Sequence, residues 1–144
     1  MKLFQIEEPD GSPIDLDMPG VAVGIDLSGA MVEIAVAVGG NAMILLDREG
    51  FELSLPVPTS ADGDWERALA GARLRAERAL ARPVTHAAVV LGAVVVEHPV
   101  RQAAEAAGLT LLRLVRADEL PTGEPLACAA AAIAEDLAPR PESL

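Results

Sequence analysis

Between residues 21 and 47 the apolar positions fall into three short runs, about 21–27, 32–38 and 42–47, rich in valine and isoleucine and separated by Ser28-Gly29 and Gly39-Gly40-Asn41. Short β-branched runs cut by glycine turns predict strands joined by hairpins, so this stretch reads as an antiparallel meander. One acid, Asp26, stands at the end of the first run. Burying an ionised carboxylate is costly unless it is hydrogen-bonded, paired or facing a polar cleft. Asp26 therefore marks either a site or a satisfied turn. The Ser28-Gly29 turn that follows offers backbone N–H groups, and glycine lacks the Cβ that would hold a phosphate away.

Asp47-Arg48-Glu49-Gly50 reads as another turn, and residues 51–55, Phe-Glu-Leu-Ser-Leu, alternate with period two, predicting an edge strand that Pro56 and Pro58 end. From Asp64 the period changes. Trp65, Leu69, Ala72, Ala76 and Leu80 recur at spacings of three and four, with Glu66, Arg67, Arg73, Glu77 and Arg78 mostly off that stripe, which predicts an amphipathic helix capped by Asp64 and closed by Arg82-Pro83. Leu74 falls about half a turn from the stripe centre, either a lone exposed apolar residue or part of a contact.

Residues 84–91 are continuously apolar in their second half, as expected of a central parallel strand covered on both faces. Pro99 suits the first turn of a helix running to about Ala107, with Gly108 at its stop. Residues 109–115 form the next predicted strand, and Pro125 opens an alanine-rich helix from Leu126 to about Leu137. Strand-helix-strand units imply right-handed crossovers. The expected fold class is α/β, a mixed five-stranded sheet in which an antiparallel meander is followed by helix, strand, helix, strand and helix. Residues 1–20 read as an N-terminal arm or edge strand, with a short strand at 2–6, residues 21–138 as one domain, and residues 139–144 as a tail.

Composition narrows the partners. A chain of 144 residues with 51% hydrophobic content and mean hydropathy +0.34 can fill one core. Its apolar runs stay short of the roughly 18–20 residues that span a bilayer, and its start lacks a basic, apolar leader, so the expectation is a cytoplasmic protein without a membrane partner. The net charge of −11 repels a phosphate backbone and argues against nucleic acid. Ten of the eleven bases are arginine, and the one lysine is Lys2. Cys128 lies among alanines and reads as a small buried apolar side chain. His86 and His98, twelve residues apart, have no second ligand at metal spacing, and no metal site is expected. The apolar run Val94-Val95-Val96 is either core or a contact. The stripe Ala127, Ala130, Ala131 and Ala134 permits close helix approach, to the sheet or to a second subunit.

Two segments resemble the actin-like ATPase superfamily, within it the heat-shock chaperone ATPases of the DnaK type. Val23-Gly24-Ile25-Asp26-Leu27-Ser28-Gly29 is similar to that family's first phosphate loop. The helix 64–82, Pro83-Val84-Thr85, the apolar strand, residues 101–109 (Arg-Gln-Ala-Ala-Glu-Ala-Ala-Gly-Leu) and Leu112-Arg113-Leu114 follow the family's order, and Glu119 with Pro121-Thr122 and an alanine-rich helix resembles the next element. The resemblance spans about residues 21–137 and implies the ribonuclease H-like subdomain of the family's first lobe, with Asp26, Ser28 and Gly29 as candidates to hold phosphate and magnesium. Glu119, beside Asp118, is a candidate second acid facing Asp26, as paired acids do in metal-dependent nucleases of this fold.

The departures shape the expected function. Ala30 and Met31 stand where the family has hydroxyl-bearing threonines. The family's catalytic lysine lies in a region missing here, and the second lobe that closes the nucleotide cleft is absent, leaving too little surface to hold a nucleotide tightly. The expectation is a degenerate, non-catalytic domain that binds a protein as assembly factor, adaptor or regulator, with no catalytic residue and no cofactor beyond residual Mg-ATP. The alternatives are a nucleotide-binding module completed by dimerisation or a partner, and a small RuvC-like nuclease, which the charge opposes.

Overall fold

The computed structural model describes residues 21–45, 55–60, 63–92, 95 and 97–138. The expected arm at 1–20, the tail at 139–144, Val94 and Val96, and most of the strand expected at 51–55 lie outside the described residues.

The three apolar runs form β1 (Val21–Leu27), β2 (Glu33–Val38) and β3 (Asn41–Ile44), each antiparallel to the one before it. The β2–β3 turn needs two residues of positive φ, which Gly39 (61°) and Gly40 (87°) supply without the Cβ clash other residues would meet. β3 is shorter than the sequence suggests, but its line resumes. Leu45 N–H still donates to Ile34 O, and later in the sequence the segment 55–57 pairs with 30–32 in the same antiparallel sense, through Val32 N to Leu55 O, a bridge between Met31 and Pro56, and Val57 N to Ala30 O. Pro56 sits in this pairing rather than ending a strand.

The chain then alternates: α1 (Trp65–Leu80), β4 (Val84–Leu91), α2 (Glu97–Ala106), β5 (Thr110–Arg116), a short 3-10 turn (Ala117–Glu119) and α3 (Leu126–Leu137). β4 and β5 are parallel to β1 and extend the sheet to the order β3-β2-β1-β4-β5, an α/β fold with one antiparallel flank, as the strand-helix alternation predicts. Asp64 caps α1, its carboxylate accepting from Arg67 N at 3.0 Å, and Gly108 follows α2 with φ 83°.

Side chains alternate between two unlike faces. On one, Val23, Ile25 and Leu27 of β1 and Val84, Val89 and Leu91 of β4 meet Trp65, Leu69, Ala72 and Ala76 of α1 and Val100, Ala103 and Ala104 of α2. Burying a Leu- or Ile-sized side chain in such a core stabilises by about 1.5–3 kcal/mol. On the other, α3 lays its alanine stripe on Ala35 and Ala37 of β2 and on Ala88 and Val90 of β4. Gly24 lets α3 approach backbone to backbone: a Cβ there would lie 2.3 Å from Ala131 N and 2.5 Å from Ala127 O. The stripe therefore packs on the sheet, the first of its two expected uses.

Glu77 departs from expectation. Its place off the apolar stripe of α1 predicts a solvated acid, yet it is buried, because its Oε2 accepts from Val84 N at 2.9 Å and from Arg73 Nε at 3.2 Å. Arg73 in turn donates through Nη1 to Ala107 O at 2.8 Å, so one ion pair fastens α1 to the start of β4 and the end of α2.

Candidate functional site

In an open α/β sheet, ligands sit beyond the carboxyl ends of the parallel strands. Here those ends bring together the turn after β1 (Asp26, Ser28, Gly29), the loop after β4 (Gly92, Val95) and the turn after β5 (Arg116 to Glu119). The first two loops touch closely enough that a Cβ on Gly92 would stand 3.8 Å from Ser28 O, ordinary van der Waals contact.

Asp26 is buried on the α3 side of β1, the side to which Gly24 points. Its Oδ1 accepts two hydrogen bonds from Ser28, from N–H at 2.9 Å and from the hydroxyl at 2.6 Å. This is a self-contained Asx turn, the satisfied-turn reading of the acid. Glu33 is the cross-strand partner of Asp26 and so shares its face. Cys128, in the first turn of α3, is buried nearby, and its thiol is held above its ordinary pKa, first by burial and then by the negative charges of Glu124 and Glu33. That environment keeps the thiol protonated and poorly nucleophilic, in keeping with a packing role.

Gly29 is exposed, and a Cβ there would meet only Met31 O, at 4.0 Å, so packing does not demand glycine at this position. Ala30 offers its carbonyl to Val57 N, and Met31 is held in the bridge to Pro56 with its side chain 44% exposed. Neither side chain carries a hydroxyl to replace the threonines the resemblance leads one to seek.

Glu119 is brought to the same end of the sheet but not to Asp26. β5 lies two strands from β1, roughly 10 Å at ordinary strand spacing. The Glu119 carboxylate accepts from Arg116 N at 2.8 Å, closing its own turn, and both Asp118 and Glu119 are exposed. Among the described residues, no group of three or more His, Cys, Asp or Glu side chains is placed to hold a metal ion. His86 Nδ1 lies 2.7 Å from the hydroxyl of Thr85, and His98 is exposed.

Sequence reasoning missed Arg116. Its guanidinium donates to Gly92 O at 2.9 Å and to Val95 O, and approaches Glu97 at 3.7 Å, tying the loop after β4 to the end of β5. Val95, half-buried and packed against the larger core, belongs to that tied loop. An arginine at the end of an apolar strand beside an acidic turn was the available signal. No helix among the described residues is long and apolar enough to cross a membrane. No family model matches this chain, and none of the curated proteins compared with it matches it either.

Proposed function

We propose that this chain is a degenerate, non-catalytic relative of the chaperone-type ATPases that acts by binding a protein, as an assembly factor, adaptor or regulator. The strand order β3-β2-β1-β4-β5, with the first three strands antiparallel, is compatible with a ribonuclease H-like subdomain and supports the resemblance. The observation that carries the reading is the state of the first loop. The Asp26 carboxylate is engaged by Ser28 in its own turn, and Ala30 and Met31 present a methyl and a thioether where phosphate would need donors.

Calorimetric titration of the full chain with MgATP and MgADP, with mass measured by light scattering, tests this. Flat titrations from a species of constant mass are expected. Micromolar heats accompanied by a doubling of mass would overturn the reading in favour of a nucleotide module completed by self-association, which the open position of Gly29 favours. As a sharper form, Ala30→Thr with Met31→Thr restores the hydroxyls. Under the proposal the double variant still gives no heat of binding, because the Asp26 carboxylate stays engaged by Ser28 in its own turn.

A further inference from the structure

The outer face of α1 is unlike the rest of the molecule. Five of the ten arginines, Arg67, Arg73, Arg75, Arg78 and Arg82, fall within sixteen residues of a chain whose net charge is −11. Arg67, Leu74 and Arg78 lie at spacings of seven and four, one stripe on the side of the helix away from the core, and all three are exposed, Leu74 by 57%. Gly71, between Arg67 and Leu74 on the same stripe, is where the Leu55 side chain comes against the helix, 2.9 Å from where a Cβ would stand, so Leu55 adds to the apolar centre beside Leu74. The face is thus an apolar centre between two cations.

The chain carries a segment of matching chemistry. Residues 14–18 read Ile-Asp-Leu-Asp-Met, alternating apolar and acidic, and residues 7, 8 and 10 add three more acids. The point where this segment joins the fold is also fixed: Val21 N–H donates to Pro83 O at 2.9 Å, immediately after the C-terminal end of α1. From Val21, the five residue steps back to Leu16 reach about 17 Å if extended. Along the helix axis, Leu74 lies only about 9 Å from Leu80, the last residue of α1.

We propose that the outer face of α1, centred on Leu74 between Arg67 and Arg78, is a docking surface whose occupant is the chain's own acidic-apolar segment, residues 14–18. Leu16 covers Leu74, and the acids on either side of it bring negative charge to the arginine-rich face without contacting it directly. The two patches have opposite charge and matched apolar content, and the tether makes their encounter intramolecular, at an effective concentration in the millimolar range. Docked in this way, the segment withholds a basic and apolar face from any other acidic segment. The proposal stands on charge, exposure and the exit point of the chain, independently of what the loop after β1 binds.

Cross-linking in the full chain tests it. In a Cys128→Ala background, Leu16→Cys with Leu74→Cys is expected to form an intramolecular disulfide under mild oxidation. The rate should fall about tenfold in 1 M salt, or when Arg67→Glu and Arg78→Glu are added, because both weaken the attraction. Leu16→Cys with Val38→Cys, an exposed position at the far flank of the sheet, is the comparison. Equal rates at the two positions, or a cross-link only between two chains, would overturn the proposal. Should those variants fold poorly, hydrogen exchange of the unaltered chain decides: the amides of residues 15–18 exchange about tenfold more slowly in low salt than in 1 M salt if the segment is docked. Equally fast exchange at both salts rejects it.

Discussion

Asp26 and Glu77 are both buried carboxylates, each accepts two hydrogen bonds, and they do opposite things for the molecule. Glu77 reaches out of α1 to the first amide of β4, and its partner Arg73 reaches the end of α2. Asp26 reaches two residues along its own chain. Burial is similar, while the range of the contacts differs, and range decides whether losing the acid loosens the fold or only a turn. A buried acid in a strand is therefore weak grounds for a site until its partners are known.

The contrast can be broken experimentally. Glu77→Ala leaves the Val84 amide buried without an acceptor and Arg73 without its partner, which should cost about 3 kcal/mol. Glu77→Gln keeps one acceptor and should cost about half as much. Asp26→Ala should lower stability by about 1 kcal/mol, because only one turn loses its acceptor. Chemical denaturation of the three variants reads these values directly. If burial alone set the cost, Asp26→Ala and Glu77→Ala would fall together.

A third carboxylate separates range from burial. Glu135 of α3 accepts from Gly39 N at 2.6 Å and Gly40 N at 3.0 Å, spanning more than ninety residues of chain at an exposed position. Water can replace it there, so Glu135→Ala should have the smallest effect, below about 1 kcal/mol, seen mainly as faster amide exchange at the β2–β3 turn. A loss matching that of Glu77→Ala would mean that range alone governs.

Much of this architecture is legible in the sequence because its signals are local. Asp64 as a cap, Gly108 as a stop, Gly39-Gly40 as a hairpin and Pro125 before α3 each act within a few residues of their own position. The candidate turn is legible for the same reason, since Ser28 stands two residues from Asp26. What escaped depends on partners distant in sequence. Helical periodicity places Glu77 off the stripe and cannot anticipate the Val84 amide beneath it. Glu119 reads as an acid free to face Asp26, but closes its own turn. The pairing of 55–57 with 30–32 is hidden because its two sides stand more than twenty residues apart in sequence.

The close approach of α3 to Gly24 carries a consequence in time. The first described strand receives its cover on one face from the last described helix, about a hundred residues later in the chain. At ordinary translation speed, β1 waits roughly 5–20 s for the segment that seals it. During synthesis the small-residue face of β1, β2 and β4 therefore stands open after the opposite core has all its elements. Of the described elements, α3 is the one whose packing on β1 has to wait longest for its own synthesis.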